Sequence, residues 1–213
     1  MLTGCSNNRP DTEQKSLSDH LIPSSEFHGT DVQPIGANDA QGYGQQLSEA
    51  LETTTYDPAD CKTPREEQAR VDSDLEREGL TVSDKPNNIA YRFYVTRAGE
   101  SIDLVKRMFL GACASLTTTR TESGVPATRT VQSKPLDTPA GLGVSDALVY
   151  QQTVSTPQIL STDQPLTQTL TQGLAKVGDV MVSVEQTTID MQRKPDLDGF
   201  TDYFEKAIAA AKN

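Results

Sequence analysis

The sequence predicts a single α+β domain, an antiparallel sheet with helices packed on it. Three observations lead there. Residues 89–95 and 180–184 alternate apolar and polar side chains at the period of a strand. Residues 101–112 and 196–211 carry apolar stripes at helical spacing. Between them, residues 116–160 are rich in Thr, Val and Ser, and Gly124, Pro126, Pro135, Pro139, Gly141 and Gly143 punctuate them as turns punctuate strands. Helices segregated against such a sheet make an α+β fold. No repeat or second domain is evident.

Residues 6–25 (SNNRPDTEQKSLSDHLIPSS) are polar and aperiodic, the composition of a flexible tether, and the domain is expected over 26–213. Gln45 to Leu51 suits a short helix, and the threonines after it favour extended chain. Asp57-Pro58-Ala59-Asp60 then turns the chain and delivers Cys61. Residues 64–78 begin with Pro64, a good helix start, and read as a charged surface helix or loop ended by Gly79. Ile89, Tyr91, Phe93 and Val95 share one strand face. Ser101 can cap a helix whose stripe is Leu104, Val105, Met108, Phe109 and Ala112, with Cys113 at its end. In the middle, 147–154 is the clearest strand. Leu166, Leu170 and Leu174 fit a helix face or a strand; with Val180, Val182 and Val184 they are read as a hairpin around Gly178. Asp196 caps the final helix, with Leu197, Phe200, Phe204, Ala207, Ile208 and Ala211 on one face.

Composition narrows the function. The chain has 213 residues and a net charge of −11, with 35% hydrophobic residues and no tryptophan. Such acidity repels nucleic-acid phosphates. No apolar run is long enough to cross a bilayer as a helix.

Leu2-Thr3-Gly4-Cys5 has the form of a bacterial lipobox, in which the cysteine is lipidated and becomes the mature N-terminus. Residues 1–5 are then the remnant of a lipoprotein signal. Only Met1 precedes Leu2, and the rest of such a signal is not in this sequence. The position of the box, directly before a polar tail, favours the lipobox over an accidental match. A lipidated Cys5 places the domain on the outer face of the cell membrane. Cys61 and Cys113 are then left as a pair, expected to be a disulfide in an oxidising compartment. Closing a loop of roughly 50 residues stabilises by about 4 kcal/mol in the chain-entropy model. Two free buried thiols remain an alternative; a zinc set lacks the histidines it needs.

No enzyme signature stands out. There is no GxSxG elbow, no HExxH and no phosphate-binding glycine loop. His20 and His28 fall in or just after the expected tether, where nothing would hold a catalytic base. Asp57 with Asp60, or Asp137 with Asp146, are the carboxylate pairs a glycosidase would need, but turn carboxylates at the surface are commoner. Asp72, Asp74 and Glu76 lack the glycine and distal glutamate of an EF-hand. No metal or other cofactor is expected. For a polar ligand the candidates are Arg92, Tyr94, Arg97 and Arg107, which combine donors with flat contact area. Pairing of each arginine with a surface carboxylate is the competing expectation.

Four features in order resemble one family: the Pro58-to-Cys61 turn, a strand and helix ending in cysteine (Tyr91 to Cys113), a Gly-Asp-hydrophobic strand (Gly178 to Val184) and a closing amphipathic helix. The chain resembles the PknH-like extracellular sensor domains and related uncharacterised actinobacterial lipoproteins over residues 25–212. The resemblance implies an α+β fold with a ligand cleft and a Cys61–Cys113 disulfide. The kinase sensor domains carry a second cysteine pair in their C-terminal half, and this chain has none there. The expected function is a non-catalytic, monomeric envelope lipoprotein, its partners the membrane at Cys5 and an unknown small-molecule or envelope ligand. The alternative is a lipid or glycolipid carrier, which needs a large apolar cavity. A hydrolase is the weakest reading.

Overall fold

The computed structural model describes residues 15–27, 31–36, 48–72, 75–97, 101–122, 125–157, 165–188 and 194–213. Nine strands form one antiparallel sheet. They are β1 (Asp31–Ile35), β2 (Thr54–Asp57), β3 (Arg77–Asp84), β4 (Ile89–Arg97), β5 (Ser115–Glu122), β6 (Val125–Leu136), β7 (Asp146–Thr156), β8 (Leu166–Val177) and β9 (Val180–Thr188). Their spatial order is β1-β3-β4-β9-β8-β7-β6-β5-β2. The helices are α1 (48–53), α2 (Lys62–Asp72), α3 (Ile102–Phe109) and α4 (Leu197–Lys212).

The alternation in the sequence sorts side chains onto two faces. On one, Tyr91, Phe93 and Val95 of β4 join Val180, Val182 and Val184 of β9 and Ala175 and Val177 of β8. α4 lies over them, burying Phe200, Phe204, Ala207, Ile208 and Ala211. Each fully buried phenylalanine contributes about 1.5–3 kcal/mol by removal from water. Gly173 makes the close approach possible: a Cβ there would stand 2.9 Å from the Phe204 ring. Asp196 caps α4 by accepting from the Gly199 amide at 3.0 Å. On the other face, α3 sets Ile102, Leu104, Val105 and Met108 against Leu148, Tyr150, Leu174 and Met181. The hairpin turn between β8 and β9 is at Gly178, with φ +59°.

Several expectations need correcting. Residues 15–25 are not tether. Leu17, Ile22 and Phe27 are 6%, 3% and 5% exposed, set into the core beneath α4. Phe27 sits 5.2 Å from the Phe93 ring, ring centre to ring centre. Three well-spaced apolar residues suffice to dock a segment that is polar on average. His20 is correspondingly held: its Nδ1 lies 3.1 Å from the Ala211 carbonyl oxygen. Residues 6–14 and His28 lie outside the described residues. Gly79 does not end a helix. α2 stops at Asp72, and Gly79 lies inside β3, where a Cβ would stand 2.7 Å from the Phe93 carbonyl oxygen. α3 ends at Phe109, and a separate 3-10 turn, Gly111–Cys113, brings Cys113 into place. The threonine-rich middle forms three long strands rather than several short ones.

The sheet extends beyond its central strands. β5 and β6 pair from Ser115–Gln132 to Glu122–Val125, past the level where β4 and β9 end. Opposed residues in an antiparallel ladder share a face, so three rows of hydroxyls and amides cross this outer half. One row is Thr55, Thr119 and Thr128; the next is Thr117, Thr130, Ser155 and Thr167; the third is Gln132, Thr153 and Thr169. The reverse face is closed by the Cys61–Cys113 disulfide, packed with Leu116, Tyr56 and Val131.

Candidate functional site

The four residues expected to form a polar site do not converge. Arg92 and Tyr94 sit two apart on β4, on the α3 side of the sheet. Arg92 donates to Glu185 on the neighbouring strand at 2.6 Å, and the Arg77 guanidinium lies over the Tyr94 ring at 5.4 Å. Arg97, at the far end of β4, pairs with Glu76 at 3.5 Å and Asp179 at 3.4 Å and donates to the Lys15 carbonyl oxygen. Arg107 is on α3 and donates to both Glu67 oxygens at 2.9 Å. The surface ion pairs predicted as the competing reading account for all three arginines. Ion pairs this exposed contribute little to stability.

The acidic candidates separate too. Asp57, Asp60, Asp137 and Asp146 are exposed. Asp72 turns inward to Arg77 at 2.8 Å and Gln68 at 2.9 Å, and Asp74 lies outside the described residues. No cluster able to hold a metal ion occurs among the described residues. Cys61 and Cys113 are bonded as expected; Cys5 lies outside the described residues.

Two surfaces remain. The first is a depression of about 420 Å³ at the C-terminal end of α3, lined by Lys106, Arg107, Leu110, Gly111 and Ala112. Gly111, at φ +59°, makes its sharp bend. Arg65 fixes the wall behind it. Its guanidinium donates to the carbonyl oxygens of Cys61 and Met108, both at 2.6 Å, and lies over the Phe109 and Tyr56 rings at 5.2 and 5.6 Å. Burial lowers the Arg65 pKa from its ordinary value, against the raising effect of Tyr56 and Tyr150. Lys106 and Arg107 already face Asp103 and Glu67, so the depression carries little unbalanced charge.

The second surface is the outer sheet face with its three rows. Within them the side chains are uncharged, and Asp57, opposite Thr117, stands at the rim. Several hydroxyls are oriented by one another. Thr55 donates to the Thr119 carbonyl oxygen at 3.2 Å, the Thr119 and Thr128 hydroxyls are 3.1 Å apart, and those of Ser155 and Thr167 are 3.3 Å apart. Each hydroxyl has one proton to donate and two lone pairs, so these contacts leave capacity for a partner. α4 packs on β8 and β9. Sequence reasoning missed the outer face because threonine occupies both faces of β5. The cross-strand register that gathers one set into rows is a tertiary fact.

No family model matches the chain, and no curated protein matches it. Two solved structures resemble it along nearly their whole length. The X-ray structure of an uncharacterised protein from Mycobacterium smegmatis, the Rv0999 ortholog, aligns with a TM-score of 0.51 and 14% identity, over 93% of this chain and 97% of that one. The chain shares that protein's fold. The extracellular domain of PknH from Mycobacterium tuberculosis aligns with a TM-score of 0.46 and 12% identity, over 92% of this chain and 95% of that one. At such identities neither alignment transfers a ligand or a site.

Proposed function

We propose that this chain is the non-catalytic, ligand-binding domain of an exported lipoprotein, held to the outer face of the membrane through Cys5. The ligand is an uncharged, polyhydroxylated molecule of the envelope, taken on the outer sheet face. The observation that carries the reading is the set of three uncharged hydroxyl and amide rows in a chain of net charge −11. Hydroxyls that both donate and accept match a neutral sugar, whereas the absence of charge in the rows offers an ion no partner. The disulfide supports export, since such bonds persist in oxidising compartments.

The test is calorimetric titration of the protein with a panel of neutral oligosaccharides, with inorganic phosphate as the charged counterpart. A double variant, Thr119→Val with Thr128→Val, keeps side-chain shape and removes two hydroxyls. Saturable binding of a neutral sugar that the double variant loses is the expected result. Binding of phosphate alone, abolished by Arg107→Ala, would move the site to the α3 depression and overturn this reading.

A further inference from the structure

The reading of Cys5 as a lipid anchor, on which this inference rests, has a geometric consequence. Lys15 is the first described residue, and it is fixed: Arg97 donates to its carbonyl oxygen, and its own ammonium donates to the Asn213 carbonyl oxygen. It lies ten residues on from Cys5. Ten residues span at most about 36 Å fully extended. The end of the domain that holds Lys15 is therefore kept close to any bilayer that holds Cys5.

That end is well defined by the ladder. Arg97 closes β4 opposite Val180, and Val177 and Val180 flank the Gly178-Asp179 turn. Lys176 is opposite Asp146, and the C-terminus of α4 ties in through Lys212, which donates to the Leu142 carbonyl oxygen. The opposite end is the outer sheet. From Val177 the strand β8 runs back to Leu166, and β6 continues past it to Val125. At about 3.3 Å per residue this is about 50 Å of strand.

We propose that the pole formed by Lys15, Arg97, Lys176, the Gly178-Asp179 turn and Lys212 faces the lipid surface, so that the β5–β6 hairpin points away from it. The charge pattern fits. Lys15, Arg97, Lys176 and Lys212 are interleaved at this pole with Asp19, Glu76, Asp146 and Asp179. A chain of net charge −11 thus meets anionic headgroups with mixed charge. The hydroxyl rows are then displayed outward, clear of the headgroups.

The chain contains no tryptophan, so single-tryptophan variants report position directly. The Asp179→Trp and Val125→Trp proteins, both at exposed sites, are coupled through the Cys5 thiol to maleimide-bearing lipid in vesicles whose headgroups carry a nitroxide quencher. Cys61 and Cys113 are spared because they are bonded. The expected result is loss of most emission from the Asp179→Trp protein and no loss from the Val125→Trp protein. Equal quenching of the two, or the reverse order, would overturn the orientation while leaving the lipoprotein reading intact. Intact mass of Cys5 from the native membrane separates the two ideas: an unmodified Cys5 would remove the lipoprotein reading, and this inference with it.

Discussion

β8 is two strands in one. Toward Val177 its side chains on the α4 face are Gly173, Ala175 and Val177, sealed beneath Phe200 and Phe204. Toward Leu166 the same face reads Thr167, Thr169 and Thr171. The backbone ladder does not change between them. What changes is the size and polarity of alternate side chains, and with it the source of stability. The inner half is held by burial of apolar surface. The outer half depends on its ladder and on a covalent staple behind it. The comparison teaches that an uninterrupted sheet can be a core at one end and a display surface at the other.

The largest blow to that contrast should come from the inner half. Phe204→Ala removes a ring that is 0% exposed and should cost about 3–5 kcal/mol in chemical denaturation. A loss under 1 kcal/mol would mean the α4 interface is not the core. Next is the staple. Cys61→Ala with Cys113→Ala should cost about 2–4 kcal/mol, and hydrogen exchange should rise in β2 and β5 before it rises in β4 and β9. Uniform acceleration would show the two halves to be one cooperative unit. Asp196→Ala removes the cap of α4 and should cost about 1 kcal/mol, read as a small drop in melting temperature with unchanged exchange in β5 and β6. Smallest is Thr128→Val, expected to stay within about 0.5 kcal/mol of the parent. A larger loss would show that the hydroxyl rows hold the fold together rather than face outward.

The inner half was legible in the sequence because its period was clean. Ile89, Tyr91, Phe93 and Val95, then Val180, Val182 and Val184, could only be strands with one buried face, and the stripes of α3 and α4 were as plain. β3 was not legible. Its glycine reads as a stop, and only the crowding of Gly79 by the Phe93 carbonyl and the Tyr94 ring explains why a glycine belongs inside that strand. β1 hid behind Pro34, which an edge strand tolerates. The docked segment 15–27 was lost in a polar average. At the candidate site, the arginines were visible but their partners were not, because Glu185 meets Arg92 only across a ladder between residues 93 positions apart. The disulfide followed from an even remainder of cysteines and from the family resemblance. The hydroxyl rows needed four strand registers at once.

The pairing of β7 with β8 has a mechanical side. All eleven residues of β7 are in register with β8, from Asp146 opposite Lys176 to Thr156 opposite Leu166. If one end of the domain is fixed and the other is pulled, tension runs along these strands and their hydrogen bonds lie across it. The rungs are then loaded together in shear instead of being peeled one at a time. The longest ladder among the described residues is thus a stiff strut, suited to keeping its far tip in place under load.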